Sequence, residues 1–139
     1  MVEATTRPPH RSEAHNKGAW TASILLAIVF FVTGGMKLMD MTMMREMFTQ
    51  VWGYPLWFMF FIGIVEVTGA ILVLIPKVAA YGGALLTINM IGAVGTHIMA
   101  GQWLYMLLPI IVGAIAVYLT WARLPETAGL ETRARPVRQ

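Results

Sequence analysis

Long apolar stretches alternate with short polar ones along this chain, and their lengths predict helices that cross a membrane. Residues 18–36 carry no charged side chain, and residues 56–75 carry one, Glu66. Residues 78–122 contain no Asp, Glu, Lys or Arg, and this run is too long for one crossing, which takes about 20 helical residues. Divided at Ala100-Gly101-Gln102, the pattern predicts four spans, at about residues 18–38, 55–76, 78–100 and 103–122.

A methionine-rich segment separates the first two predicted spans. Its apolar residues recur at steps of three and four, which is typical of a helix with one apolar face; they are Met36, Met39, Met43, Met44, Met47, Phe48 and Val51. We expect this helix to lie on the outer membrane surface, with Gly53 and Pro55 leading into the next span. Methionine thioethers can ligate Cu(I), but the helical spacing favours apolar filler, so no metal site is predicted.

The chain is therefore predicted to be all-α, an integral membrane four-helix bundle. Its composition agrees, since 58% of the residues are hydrophobic and only 12% are charged. Eight basic residues fall on the side of the termini and two, Lys37 and Arg45, on the other. This asymmetry predicts cytoplasmic termini. Residues 1–17 are then a polar cytoplasmic arm, 18–122 the membrane domain and 123–139 a basic cytoplasmic tail. Topology accounts for the basic charge, and no nucleic-acid partner is expected.

The absence of cysteine limits the chemistry that this chain can perform by itself. With no cysteine, disulfides, iron–sulfur ligation and thiol redox chemistry are excluded, and so is quinone reduction through a Cys-x-x-Cys pair. His10 and His15 fall in the predicted arm, so a haem held between two histidines inside the bundle is not expected. No covalently carried cofactor is predicted.

Glu66 is the most informative residue of the sequence. Within its span, ten uncharged residues precede it (56–65) and ten follow it (67–76), although a charge at the bilayer centre costs at least a few kcal/mol. Gly63, Gly69 and Ala70 share its helix face, and small residues mark the places where membrane helices meet. The carboxyl group should therefore point into the bundle. A functional role is favoured over structural hydrogen bonding, which is worth only about 0.6 kcal/mol in membranes.

Three further polar residues are candidates for the same site. Asn89 shares the predicted depth of Glu66, and its amide can bond to the carboxyl group. His97, about 12 Å nearer the outer surface, can relay protons or bind a polar head group. Lys37 should snorkel at the membrane edge, too far from Glu66 for a direct pair unless the helix tilts, Gly34-Gly35 unwinds, or a water or ligand intervenes. Together they predict a ligand-binding or proton-relay site.

The sequence resembles the DoxX and DoxX-like family of small four-helix bacterial membrane proteins. The resemblance covers roughly residues 20–122 and rests on GGMKL, GIVEVTGAILVLIP and GALLTINMIGAVGTHIMAG, in that order along successive spans. The family's lysine, glutamate and histidine fall on Lys37, Glu66 and His97. The resemblance implies a multi-pass protein of the bacterial plasma membrane. Founding members are described as subunits associated with quinone-linked sulfur oxidation, and one relative as a partner in a membrane oxidoreductase complex.

Three functions remain open from the sequence. The favoured one is an accessory or ligand-binding subunit that holds a quinone or other lipophilic molecule near Glu66, Asn89 and His97, or docks to a membrane oxidoreductase. A second is a proton-coupled transporter of small hydrophobic cations that uses Glu66. A third is a cofactor-free isomerase of a lipid-like substrate, with Glu66 as acid or base. A bundle of four short helices is small, so self-association into a homo-oligomer is an open expectation.

Overall fold

A computed structural model describes residues 13–129, which are mostly helical and contain no strand. The helices are α1 (Glu13–Leu38), α2 (Thr42–Glu46), α3 (Leu56–Val73), α4 (Ala79–Met99) and α5 (Leu107–Thr127), and α2 continues into a π-helical turn, Met47–Val51. Four of these helices, α1, α3, α4 and α5, are long and apolar enough to cross a membrane. The predicted all-α fold with four spans is confirmed.

The four long helices form a ring around a common axis. α1 packs against α3 and α5, and α4 packs against the same two helices. Short connections make α3 and α4, and then α4 and α5, antiparallel neighbours, whereas α1 is joined to α3 through α2 and the π-helical turn. We call the end that carries the start of α1, the turn at Lys77 and the end of α5 the basic end, and the opposite end, which carries α2, the α2 end. Which of them faces the cytoplasm stays a prediction.

Two helices extend further at the basic end than the sequence predicted. α1 begins at Glu13, so residues 13–17 of the expected arm are helical. Glu13 lies in the first turn, where a carboxylate is favourable to the helix dipole. α5 begins at Leu107 and continues to Thr127, so residues 123–127 of the expected tail are helical too. The rest of the arm and tail, residues 1–12 and 130–139, lies outside the described residues.

Arg123 shows the consequence of this extension. The sequence placed it at the start of the basic cytoplasmic tail, but its side chain is only 2% exposed. Its guanidinium group donates to Glu126 one turn later at 2.9 Å and lies 5.1 Å from the ring of Trp20 on α1. Arg123 therefore ties α5 to α1 at the basic end of the bundle.

The packed core fills the half of the bundle nearest the basic end. Its buried residues are small or aliphatic, with one phenylalanine and one methionine: Ala19, Ala22, Leu26, Ala27, Phe30, Ala70, Val73, Leu86, Met90, Val112, Ala116, Leu119 and Ala122. Glycines allow close helix approach here. A Cβ at Gly82 would lie 2.8 Å from the backbone nitrogen of Val73, and one at Gly83 would lie 3.0 Å from the carbonyl oxygen of Ala116. Small residues at such contacts are the usual means of packing membrane helices.

Replacing Gly82 with alanine is expected to destabilise the bundle by about 1–3 kcal/mol, because the added methyl group meets backbone that has no room to move. Gly95 on the same helix is the matched control. A Cβ there meets nothing within 4 Å, so Gly95→Ala should be neutral or gain up to about 1 kcal/mol of helix propensity. Unfolding by SDS titration, followed by circular dichroism, measures both changes. Equal losses in the two variants would contradict this account of the α3–α4 contact.

The α2 end is built differently, because α1 stops short of it. A Cβ at Gly63 would lie 3.1 Å from the Cβ of Lys37, so the last turn of α1 is level with Gly63. That residue lies seven positions into α3, or about 10 Å along its axis. Asp40, with φ 54°, then turns the chain. The π-helical turn places buried Phe48 over the end of α1, where the Lys37 ammonium is 6.0 Å from the Phe48 ring.

Candidate functional site

Lys37 and Glu66 form a direct ion pair inside the bundle. The ammonium nitrogen of Lys37 lies 2.8 Å from Oε2 of Glu66, and the two residues are only 7% and 4% exposed. The expectation that Lys37 snorkels at the membrane edge, too far from Glu66 for direct contact, was therefore wrong. The error came from placing the end of the first span at the membrane surface, whereas α1 ends level with Gly63, one helical turn from Glu66.

Two glycines bring α1 and α3 close enough for this pair. A Cβ at Gly34 would lie 3.0 Å from the Cβ of Glu66 and 3.1 Å from the carbonyl oxygen of Gly63. A Cβ at Gly63 would in turn lie only 3.0 Å from the side chain of Leu38. α1 remains helical through Gly34 and Gly35. No unwinding is needed, because close helix packing alone brings the lysine to the carboxylate.

Thr33 and Asn89 complete the environment of the carboxylate. The Thr33 hydroxyl donates to Oε2 of Glu66 at 2.9 Å, and the Asn89 amide donates to Oε1 at 3.2 Å. Lys37 also donates to the backbone oxygen of Thr33 at 3.3 Å. We call Thr33, Lys37, Glu66 and Asn89 the inner cluster. Its three donors, one of them charged, offset the cost of burying a carboxylate, since a buried charge is tolerated when it is paired and hydrogen-bonded.

A second polar group, which includes His97, lies at the α2 end. Oε1 of Gln102 accepts from Nε1 of Trp52 at 3.1 Å and lies 2.8 Å from Nδ1 of His97. Because one carboxamide oxygen serves both contacts, His97 donates its Nδ1–H to it. We call Trp52, His97 and Gln102 the outer cluster.

No hydrogen bond among the described residues joins the outer cluster to the inner one. His97 lies eight residues from Asn89 along α4, which is about 12 Å of helical rise. The polar track expected from the sequence is therefore divided into two clusters, and a direct contact of His97 with Glu66 is not part of this arrangement.

A cavity of about 520 Å³ connects the two clusters. Its volume is within the range of about 300–1,000 Å³ typical of small-molecule sites. Polar groups of the inner cluster lie at one end and His97 and Trp52 at the other, and the walls between are apolar. Those walls include Phe48, Phe58, Phe61, Ile62, Val65, Leu85, Ile88, Met90, Ala93, Leu108 and Val112. A largely apolar chamber with polar groups at two ends suits an amphipathic molecule.

All four residues predicted from the sequence line this cavity, and several others were missed. Thr33 precedes Lys37 by one helical turn and therefore lies on the same face of α1, so helical periodicity could have identified it. Trp52 and Tyr54 line the cavity, and Gln102 bonds to two lining residues; all three lie between helices, where periodicity gives no information. Tyr54 bonds to Thr96 at 2.9 Å. Within residues 13–129, no three His, Cys, Asp or Glu side chains converge in a way that could hold a metal ion.

This fold and site define a class, that of multi-pass membrane proteins built as a four-helix bundle with an internal cavity. The model of the DoxX-like family matches residues 21–119, which include α3, α4 and most of α1 and α5. The chain belongs to the DoxX-like family. Comparison with curated proteins and with solved structures gave no match.

Proposed function

We propose that this protein binds a lipophilic small molecule of quinone type in its cavity. It does so as the ligand-binding or accessory subunit of a membrane redox process. The observation that carries the proposal is the inner cluster, a buried ion pair with its hydrogen-bond donors set into the wall of an apolar cavity of about 520 Å³.

The inner cluster offers hydrogen-bond donors to a ligand. The ammonium group of Lys37 has three N–H groups, and its two bonds go to Thr33 and Glu66. The Asn89 amide has two N–H groups, of which one is directed to Glu66. Each residue thus keeps one N–H that the described bonds do not use. Both residues line the cavity, and such donors favour a head group that accepts hydrogen bonds, such as a quinone carbonyl.

The remaining walls suit a ring and a hydrocarbon chain. Phe48, Phe58 and Phe61 line the cavity together with aliphatic side chains, and Phe58 and Phe61 are themselves stacked with ring centroids 6.2 Å apart. Aromatic surfaces of this kind pack well against a flat ring. A neutral molecule with a polar head and an apolar body therefore matches the chemistry of the cavity along its whole length.

The redox part of the proposal rests on family resemblance and on composition. DoxX proteins are associated with quinone-linked oxidation, and this chain has no cysteine to transfer electrons by thiol chemistry. Electron transfer to or from a bound quinone would then be performed by a partner oxidoreductase in the same membrane. In this arrangement the DoxX-like subunit supplies the binding site, and the partner supplies the redox centre.

The ion pair favours binding over proton-coupled transport of hydrophobic cations. Such transport requires a carboxylate that exchanges a proton for a cation. Here Lys37 already compensates the charge of Glu66 from 2.8 Å, so a cationic ligand would have to displace an internal ammonium group from its partner. A neutral ligand needs no such displacement.

Mass spectrometry of molecules retained by the protein in nanodiscs tests the proposal. We expect a quinone or another isoprenoid to be retained by the wild type. Its amount should fall about tenfold or more in the double variant Lys37→Met/Glu66→Gln. Thr68→Val is the control, because Thr68 is an exposed polar residue of α3 that does not line the cavity. Empty wild-type protein that remains empty when quinone is added would refute the proposal.

A further inference from the structure

We infer that the ligand enters the cavity sideways from the lipid, through a gap between α3 and α4 beside Gly92. The inference rests on the proposed function and adds the route and the physical state of the ligand before binding. A molecule that takes this route is dissolved in the bilayer rather than in water.

The closest packing of α3 against α4 lies toward the basic end. A Cβ at Gly69 on α3 would lie 2.4 Å from Leu86 on α4, and one at Gly82 would lie 2.8 Å from Val73. Further along α4, a Cβ at Gly92 would meet nothing within 4 Å, although Gly92 lines the cavity. The seam between the two helices is thus closed at the level of Leu86 and open at the level of Gly92.

The rim of this gap is apolar and faces outward. Phe61 on α3 is 51% exposed and Ile88 on α4 is 69% exposed, yet both line the cavity. Val65, four residues before Gly69, lies on the side of α3 turned toward α4, and it lines the cavity as well. Side chains that border both the cavity and the outer surface of a membrane helix mark a passage to lipid.

Hydrogen bonds link the segments that border the cavity at the α2 end. Gln102 bonds to Trp52 of the α2 segment and to His97 of α4, and Tyr54 bonds to Thr96. These contacts tie the segment after the π-helical turn to α4 across the end of the bundle. A ligand arriving from water would have to break them, whereas the α3–α4 gap is bordered by apolar side chains that make no such bonds.

Two rim variants and one control test the route. Gly92→Leu narrows the gap and Phe61→Ala widens it. Gly95→Leu adds the same side chain to α4 one helical turn from Gly92, at a position where a Cβ meets nothing within 4 Å and which does not itself line the cavity. In nanodiscs, stopped-flow exchange of a short-chain quinone analogue should slow about tenfold in Gly92→Leu. It should accelerate in Phe61→Ala and stay unchanged in Gly95→Leu.

The outcomes separate the route from the proposed function. If the wild type binds the quinone analogue but exchange is unaltered in Phe61→Ala and accelerated in Trp52→Ala, the ligand enters from the α2 end and the inference is overturned. Equal slowing in Gly92→Leu and Gly95→Leu would also overturn it, because the effect would not be confined to the gap. If the wild type does not bind the analogue at all, the proposed function fails, and the route fails with it.

Discussion

Replacing Lys37 with methionine should destabilise the protein by about 3 kcal/mol, because it leaves the carboxylate of Glu66 buried without its counter-charge. Adding Glu66→Gln should recover most of that loss. The glutamine is neutral, and it retains an oxygen that can accept from Thr33 or Asn89. SDS-titration unfolding of the two single variants and the double variant closes a double-mutant cycle, in which groups in contact typically couple by about 0.5–3 kcal/mol.

Lys77 provides the matched control for this cycle. It lies in the exposed turn between α3 and α4. Lys77→Met therefore removes the same charge without leaving a buried carboxylate unpaired. Surface substitutions of this kind usually change stability by no more than about 0.5 kcal/mol. If Lys37→Met and Lys77→Met behave alike, the ion pair contributes no stability, and the description of Glu66 as a charge compensated by Lys37 is wrong.

Part of the inner cluster could be predicted from the sequence. Helical periodicity was sufficient to place Glu66 among small residues on an inward face and Asn89 at the same depth, and the structure joins these two side chains at 3.2 Å. Both residues lie well inside long regular helices, where position along the chain converts directly into depth and direction. The α3–α4 part of the inner cluster was therefore readable from the sequence.

The depth of Lys37 in the bundle was predicted wrongly because the sequence does not show where α1 ends relative to the other helices. The count assumed that the first span reached the outer surface. In the structure α1 stops level with Gly63, and Phe48 covers its end. The charge of Lys37 is then stabilised by Glu66 instead of water. A sequence shows that a lysine follows an apolar span, but not whether another segment folds over it.

The outer cluster was beyond prediction for a related reason. Gln102 lies in the turn after Gly101, which has φ 68°, and Trp52 follows a π-helical turn. A π turn alters the angular position of every later residue in its helix, so the regular period no longer indicates which way Trp52 points. His97 lies on a regular helix and was found, but its partner Gln102 depends on how two irregular segments meet.

The wild-type protein is expected to bind a neutral quinone analogue about tenfold more tightly than a phosphonium cation with the same alkyl chain, a difference of about 1.4 kcal/mol. Lys37 and Glu66 together carry no net charge, and the N–H groups left on Lys37 and Asn89 favour a carbonyl head. Lys37→Met should reverse this order. It removes an ammonium donor and leaves a carboxylate at the cavity wall, where opposite charge is attracted more strongly than in water.

Equilibrium binding in nanodiscs measures this reversal, with circular dichroism to establish that each variant is folded and Lys77→Met as the charge-matched control. The order of the two ligands should stay that of the wild type in Lys77→Met. Tighter binding of the cation by the wild type, abolished by Glu66→Gln, would contradict the prediction. That result is the one expected of a carrier for hydrophobic cations, and it would make proton-driven uptake into proteoliposomes the decisive measurement. If instead the order of the two ligands reverses in Lys37→Met but not in Lys77→Met, one lysine selects the neutral ligand. It does so by pairing with the carboxylate that a cation would need.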